Sequence, residues 1–303
     1  MEIIVGKTAG FCYGVTTAVE KSEEYVKKNM DRKVYCLGEI VHNKQVVEKL
    51  EQEGLIFIDK LEDLVPKINN DKISVIIRAH GEPKSTYEFL NNNKIEIVDL
   101  TCPNVLAIHN IVSEYVENGY NIFLIGQKNH PETIGTAGFC KDKCFIIENE
   151  EDISTALKEF LDNNKKTNEK ILIVAQTTFS LAKFNKFAQE IENKLNQNES
   201  TKHIKVEVRN TICNATRLRQ EETEKISKEV DYMIIIGGKN SSNTRKLYDI
   251  AKNDCKDVSI IETYIELKEF SENIKNKEKI GIMAGASTPN YSINEVIDFI
   301  KSL

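Results

Sequence analysis

Leu100-Thr101-Cys102-Pro103-Asn104 joins an extended apolar run, residues 95–98, to a stretch, residues 105–116, whose apolar spacing is that of a helix. Cys102 therefore stands where a strand ends and a helix begins. A thiol there faces open space beyond the sheet edge, near backbone N–H groups and the positive end of the helix, a setting that favours thiolate. Cys12 and Cys213 occupy the same kind of junction.

Working outward from these junctions, the chain reads as a triplication. Cys12 opens a helical pattern over 15–28, and the strand 34–37 then runs into Gly38 and the polar turn His42-Asn43, with a helix over 44–52. A second strand, 73–77, ends at Ala79-His80-Gly81. In the second third Cys102 opens a helix, the strand 121–125 ends at Gly126 before Asn129-His130-Pro131-Glu132, and the strand 171–174 ends at Ala175-Gln176-Thr177-Thr178. In the last third Cys213 opens a helix rich in Glu and Arg. The strand 232–236 there ends at Gly237-Gly238 before Asn240-Ser241-Ser242-Asn243, which lead a helix over 244–252, and the strand 280–283 ends at Ala284-Gly285-Ala286-Ser287. The separations Cys12 to Gly38, Cys102 to Gly126 and Cys213 to Gly237 agree to within two residues.

Alternating strands and helices predict parallel α/β units whose polar turns collect on one side of each sheet. Residues 95–98 supply a closing strand for the first unit and residues 204–208 for the second. The third has none, since the final helix, 292–302, ends the chain. The opening strand, 2–5, is expected to complete it. This gives domains over 13–101, 102–208 and 209–303, the last completed by 1–12, closed into a ring around the cysteines. The polar runs 163–170 and 194–202 read as solvated loops.

Composition bounds the function. A chain of 303 residues buries a sizeable core in two or three domains. Its net charge of -6 and the absence of a dense Lys/Arg stripe argue against a nucleic-acid partner. No apolar run approaches the roughly 20 residues of a membrane span, and no secretory signal is seen, so the expectation is a cytoplasmic protein with reduced or metal-bound cysteines. Small-molecule or protein partners fit best, and without heptads or an apolar stripe a monomer is expected.

Three thiolates in register suit zinc or an iron–sulfur cluster. Structural zinc takes four ligands, often as close Cys pairs of a kind absent here. A four-iron cluster held by three thiolates keeps one iron open for chemistry. Cys36 reads as core and Cys255 as a helix end; Cys140 and Cys144 have a C-x3-C spacing without a third ligand. His42, His80 and His130 fall on corresponding polar turns, where they can donate hydrogen bonds to an anion; zinc ligation is the rival. His109 lies on a helix and His203 among lysines. Ser241, Ser242 and Asn243 can cap their helix or hold phosphate at its N-terminus, and Thr177, Thr178 and Ser287 add hydroxyls. Glu132, the one carboxylate among these turns, becomes a proton donor if its cavity is dry, or else merely caps a segment. Neither a Walker lysine loop nor GxGxxG is present.

Together the motifs GFCYGV at Cys12, IVHN at His42, AHG at His80, TCP at Cys102, NHPE at His130 and Glu132, QTT at Thr177, TIC at Cys213, KNSSN at Ser241 and AGAS at Ser287 cover nearly the whole chain. In them the sequence resembles the hydroxymethylbutenyl diphosphate reductases, which act last in the methylerythritol phosphate route to isoprenoids. The resemblance implies an α/β fold of three pseudo-threefold-related domains in a trefoil-like ring around one 4Fe-4S cluster, with Cys12, Cys102 and Cys213 as ligands and one iron open. It implies a diphosphate held by His42, His80, His130, Ser241, Ser242, Asn243 and Ser287 with Thr178 nearby, and Glu132 as proton source assisted by Thr177. Two electrons, from reduced ferredoxin or flavodoxin, and two protons would remove the substrate hydroxyl as water. A non-redox iron–sulfur hydratase and a cluster-bearing electron carrier or sensor are the alternatives. Arg78 and Arg217 fall where the family varies.

Overall fold

The computed structural model describes residues 1–67, 72–163 and 169–303. The chain opens with β1 (Glu2–Val5), α1 (Tyr13–Lys28), β2 (Lys33–Leu37), α2 (Lys44–Gln52), β3 (Leu55–Ile58), β4 (Ile73–Ile77), α3 (Lys84–Asn92) and β5 (Glu96–Asp99). It continues with α4 (Pro103–Glu117), β6 (Asn121–Ile125), α5 (Pro131–Ala137), β7 (Cys144–Ile147), α6 (Glu150–Asn163), β8 (Lys170–Ala175), α7 (Leu181–Asn196) and β9 (Lys205–Val208). The last stretch holds α8 (Asn214–Ser227), β10 (Tyr232–Ile236), α9 (Ser242–Asp254), β11 (Val258–Ile261), α10 (Ser271–Lys275), β12 (Lys279–Ala284) and α11 (Asn290–Lys301).

Three four-stranded sheets result, in the orders β5-β4-β2-β3, β9-β8-β6-β7 and β1-β12-β10-β11. Their plan is the same. Two central strands lie between a closing strand, which follows them in the first two sheets, and a short outer one. In the third sheet the closing strand is β1, paired in parallel with β12 from Glu2 opposite Lys279 to Val5 opposite Ile282. Central strands such as ISVII, NIFLI and YMIII are buried along their whole length. They are apolar on both faces because helices cover both sides of a parallel sheet.

The chain groups into two compact units. One comprises residues 1–29, 39–55 and 214–303, built on the third sheet; the other comprises residues 30–38 and 56–213, with the first two sheets. Helices α1 and α2, which follow Cys12 in sequence, belong to the unit of the third sheet.

Several bounds differ from the sequence-based expectation. Each sheet has an outer strand, β3, β7 or β11, that the hydrophobic pattern did not single out, because four residues with only partial burial carry little periodic signal. Helix α7 continues to Asn196, into the run expected as loop from 194. Of the other expected loop, Asn163 ends α6 and Lys170 opens β8, while 164–168 lie outside the described residues. Helix α9 begins at Ser242, two residues before the expected start.

The second sheet packs on an aromatic trio. Phe123 and Phe160 are fully buried, and Phe160 meets Phe123 and Phe145 edge-on with ring centroids 5.8 and 6.1 Å apart. Phe160→Ala should destabilise the protein by about 3–5 kcal/mol. Equilibrium urea denaturation measures this as a lowered midpoint, and an unmoved midpoint would contradict the packing.

Candidate active site

The three junction cysteines are fixed by one repeated backbone contact. The N–H of Cys12 donates to the Ala286 carbonyl at 3.1 Å, that of Cys102 to Ala79 at 3.0 Å and that of Cys213 to Thr177 at 3.1 Å. Each acceptor lies two residues beyond the end of its sheet's second central strand: β12 ends at Ala284, β4 at Ile77 and β8 at Ala175. Each cysteine also immediately precedes a helix, α1, α4 or α8. All three thiols are partly exposed and none is in a disulfide. At the starts of α1 and α4 the thiol makes no capping bond, so it is not consumed by the helix terminus.

The segments leading into these cysteines are braced by polar groups that the motifs did not reveal. The Glu222 carboxylate accepts the N–H groups of Lys7 and Thr8, both at 2.8 Å, and the Thr8 hydroxyl at 2.5 Å. Arg219, from the same helix, donates to the Gly10 carbonyl at 2.5 Å. Before Cys102, the Asp99 carboxylate accepts both the N–H and the hydroxyl of Thr101. Before Cys213, the Thr211 hydroxyl exchanges hydrogen bonds with the backbone of Ala175. These contacts depend on partners distant in sequence, or on side chains common in any turn, and so leave no local signature.

In the unit of the first two sheets, Glu132 is 2 % exposed. One carboxylate oxygen accepts the Thr177 N–H at 2.5 Å and the other the Thr177 hydroxyl at 2.7 Å. Burial outweighs these two bonds and pushes the carboxyl up to about 7. The carboxyl is thus kept from water, the condition on which a proton-donor role for Glu132 depends. His130 caps α5 by accepting the Glu132 N–H on Nδ1 at 3.1 Å. A ring nitrogen that accepts carries no proton, so this bond selects the tautomer with the proton on Nε2. The His80 ring stands edge-on to His130, with centroids 5.4 Å apart. Thr178 accepts a hydrogen bond from the Gln176 amide at 2.8 Å, and the Gln176 oxygen accepts the Gln127 N–H at 3.0 Å. Nothing in the Ala175-Gln176-Thr177-Thr178 turn announces the bracing role of Gln176, which appears only in three dimensions. The backbones approach closely here: a Cβ on Gly135 of α5 would lie a tight 3.3 Å from the backbone of Gly81, next to His80.

In the other unit, the Ser241 hydroxyl accepts the Thr244 N–H at 3.4 Å and caps α9. Ser242 and Asn243 form the buried first turn of α9. Asn243 is 3 % exposed and both its amide nitrogen and its oxygen lack a hydrogen-bond partner. A buried amide left unpaired costs about 1–3 kcal/mol, which a bound polar group would recover. The Ser287 hydroxyl donates to the His42 carbonyl at 3.2 Å, and His42 Nδ1 lies 3.2 Å from the Glu39 carboxylate. Asn43, next to His42, caps α2 by accepting the Val46 N–H.

The remaining cysteines and His109 behave as core. Cys36 is buried within β2, where burial pushes its thiol up to about 12. The Cys140 thiol donates to the Thr136 carbonyl, and its neighbour Cys144 together with burial raises it well above the usual thiol range. Cys255 ends α9 buried, with Sγ 3.3 Å from the Asp257 carbonyl. His109 stacks on Phe139 at 4.2 Å, and burial lowers it to about 4.

Each unit carries donor chemistry of its own: partly exposed thiols at helix starts in both, and in the unit of the first two sheets a buried carboxyl raised to about 7. The chain is similar to known proteins in both sequence and structure. The family model described as LytB protein matches residues 3–301. A 4-hydroxy-3-methylbut-2-enyl diphosphate reductase of Caldanaerobacter subterraneus subsp. tengcongensis is 43 % identical over 303 residues, covering 100 % of this chain and 98 % of the relative. A solved structure of (E)-4-hydroxy-3-methyl-but-2-enyl diphosphate reductase, described as the terminal enzyme of the non-mevalonate pathway, superposes with a TM-score of 0.67 at 41 % identity, covering both chains fully. The structure of the Plasmodium falciparum E-1-hydroxy-2-methyl-but-2-enyl-4-diphosphate reductase gives a TM-score of 0.85 at 33 % identity, over 100 % of this chain and 87 % of that one. On the match along almost its entire length, the chain belongs to the LytB protein family.

Proposed function

We propose that this chain is a 4-hydroxy-3-methylbut-2-enyl diphosphate reductase, converting that substrate, with two electrons and two protons, to isopentenyl or dimethylallyl diphosphate and water. Full-length similarity to reductases of that name supports the activity. The buried Glu132 carboxyl, gripped at both oxygens by Thr177, is the observation that carries the chemistry.

Cys12, Cys102 and Cys213 are the residues that would hold the cofactor, one 4Fe-4S cluster with one iron left without a protein ligand. When bound, such a cluster supplies the electrons and a Lewis-acidic iron for the substrate hydroxyl. The residues fit it: thiolates are its ordinary ligands, and these three thiols are partly exposed at junctions held by the same backbone bond. The proposed domains are 13–101, 102–208 and 209–303 with 1–12; Cys12 ends the segment that precedes the first, Cys102 opens the second and Cys213 lies at the start of the third.

Glu132 holds the proton that leaves with the hydroxyl, and Thr177 fixes the orientation of its two oxygens. His42, His80, His130, Thr178, Ser241, Ser242, Asn243 and Ser287 bind the diphosphate. His130 suits this because its Nε2–H is fixed by the capping bond at Nδ1. Asn243 suits it because its orphaned amide gains a partner on binding. None of these is a permanent cation, so the diphosphate is recognised by directed hydrogen bonds. Reduced ferredoxin or flavodoxin is the proposed donor, and a cytoplasmic monomer without a nucleic-acid partner the proposed state. No helix among the described residues is long and apolar enough to cross a membrane.

The direct test is turnover by anaerobically purified, cluster-loaded protein given a chemical reductant and 4-hydroxy-3-methylbut-2-enyl diphosphate. Isopentenyl and dimethylallyl diphosphate are expected, and only with the reductant. Turnover without it would identify a non-redox hydratase, and no turnover at all would overturn the proposed reaction.

The Glu132 carboxyl, raised from 4.5 to about 7, gives a pH test. Its proton is lost as pH rises through about 7, so turnover should fall on that limb. The sign for stability follows the same shift. Below 4.5 the folded and unfolded chains are both protonated here and no penalty exists; it grows above that pH and is complete above about 7, at roughly 3 kcal/mol. Glu132→Gln should therefore cut turnover about a hundredfold or more while raising the urea midpoint at pH 8. Near-normal turnover, or a lowered midpoint at pH 8, would remove Glu132 as the buried acid.

A further inference from the structure

The first residue after the second central strand of each sheet is Arg78, Gln176 or Gly285. In the first two repeats this side chain lies over the glycine that ends the first central strand. A Cβ on Gly126 would come within 3.0 Å of the Gln176 Cβ, and a Cβ on Gly38 would collide with the Arg78 guanidinium. Gly38 also has φ +67°, a conformation that excludes most side chains. In the third repeat Gly285 offers no such side chain, and the space over Gly237 is taken by the hydroxyls of Thr244 and Thr288. Corresponding positions thus carry the same spatial task with different chemistry.

Gln176 donates to the Thr178 hydroxyl in its own turn and accepts the Gln127 N–H of the turn after β6. Arg78 braces its own turn with charge. Its Nε donates to a Glu82 carboxylate oxygen at 2.9 Å, with the two side chains only 15 % and 7 % exposed. Between the paired residues lie Ala79, His80 and Gly81, and the Gly81 N–H donates to the Arg78 carbonyl at 3.0 Å. The turn that presents His80 is closed by its backbone and again by an ion pair across its ends. An ion pair this deeply placed is a poor source of stability, because desolvation offsets the attraction. Burial acts on Glu82 in that sense, raising its carboxyl against the opposing pull of Arg78. The Glu82 backbone is also where α5 docks: a Cβ on Gly135 would lie 3.4 Å from the Glu82 nitrogen.

We propose that Arg78 and Glu82 are a positioning pair whose ion pair across the Ala79-His80-Gly81 turn sets the His80 imidazole against His130. Its effect on catalysis rests on the assignment of His80 to the substrate diphosphate.

The test is a double-mutant cycle in the cluster-loaded protein, using Arg78→Gln, Glu82→Gln and the double variant, with His80→Ala alongside. Each single change leaves one buried charge alone, so each should raise KM for the diphosphate substrate about tenfold with kcat changed less than about threefold. The double variant, a neutral amide pair, should return KM to within about threefold of the parent, and Arg78→Lys should restore it in part. Amide hydrogen exchange at Gly81 reads the turn without reference to activity, and should accelerate about tenfold in each single variant. Exchange unchanged at Gly81 refutes the strut, as do multiplicative KM effects in the double variant. If Gly81 exchange rises as expected while neither His80→Ala nor Arg78→Gln moves KM, the strut stands and the assignment of His80 to substrate fails. If His80→Ala raises KM and Arg78→Gln leaves it unchanged, the positioning role is overturned.

Discussion

A cysteine at the start of a helix is useful as a ligand only if its backbone cannot drift. Here each junction cysteine donates its N–H to a carbonyl just past a buried neighbouring strand, in all three repeats. That bond transfers the rigidity of the sheet interior to a residue that must remain partly open. Everything else at the junctions follows from it. The central strands are apolar on both faces because helices cover them, and the loops beyond their ends are therefore short and fixed. The polar braces at Glu222, Asp99 and Thr211 then hold the chain entering each cysteine.

The same economy of means governs the polar turns. A carboxyl is placed where water is excluded, so it retains a proton at a pH where exposed carboxylates have lost theirs. An asparagine amide is buried without partners. Each arrangement lowers the stability of its own unit at neutral pH, and each is a departure from ordinary folding rules to which the proposed function gives a use.

Much of this was legible in the sequence, for identifiable reasons. Buried central strands are short apolar runs stopped by Gly or Ala before polar residues, so β2, β4, β6, β8, β10 and β12 could be read directly. Counting strands against helices also led from a third repeat lacking a closing strand to Glu2–Val5, which pairs with β12. The outer strands were not legible, since four half-buried residues give no clear alternation. Nor were the braces: Glu222 meets Thr8 across most of the chain, and nothing near either residue announces the other. The part of Arg78 is not legible either, because in sequence an ion pair four residues apart looks like surface decoration, and Gly38 lies beneath it only in the fold. The burial of Glu132 could be posed as a condition from sequence, but its pairing with Thr177 needed the fold.

The central claim is that the three latched cysteines, and not the other four, hold the cofactor. Iron and acid-labile sulfide measured in anaerobically purified Cys→Ser variants test it most directly. Cys12→Ser, Cys102→Ser and Cys213→Ser should each lose most of their iron, while Cys140→Ser and Cys144→Ser should keep the parent content. Equal loss of iron from Cys140→Ser, or full retention by any of the first three, would contradict the account.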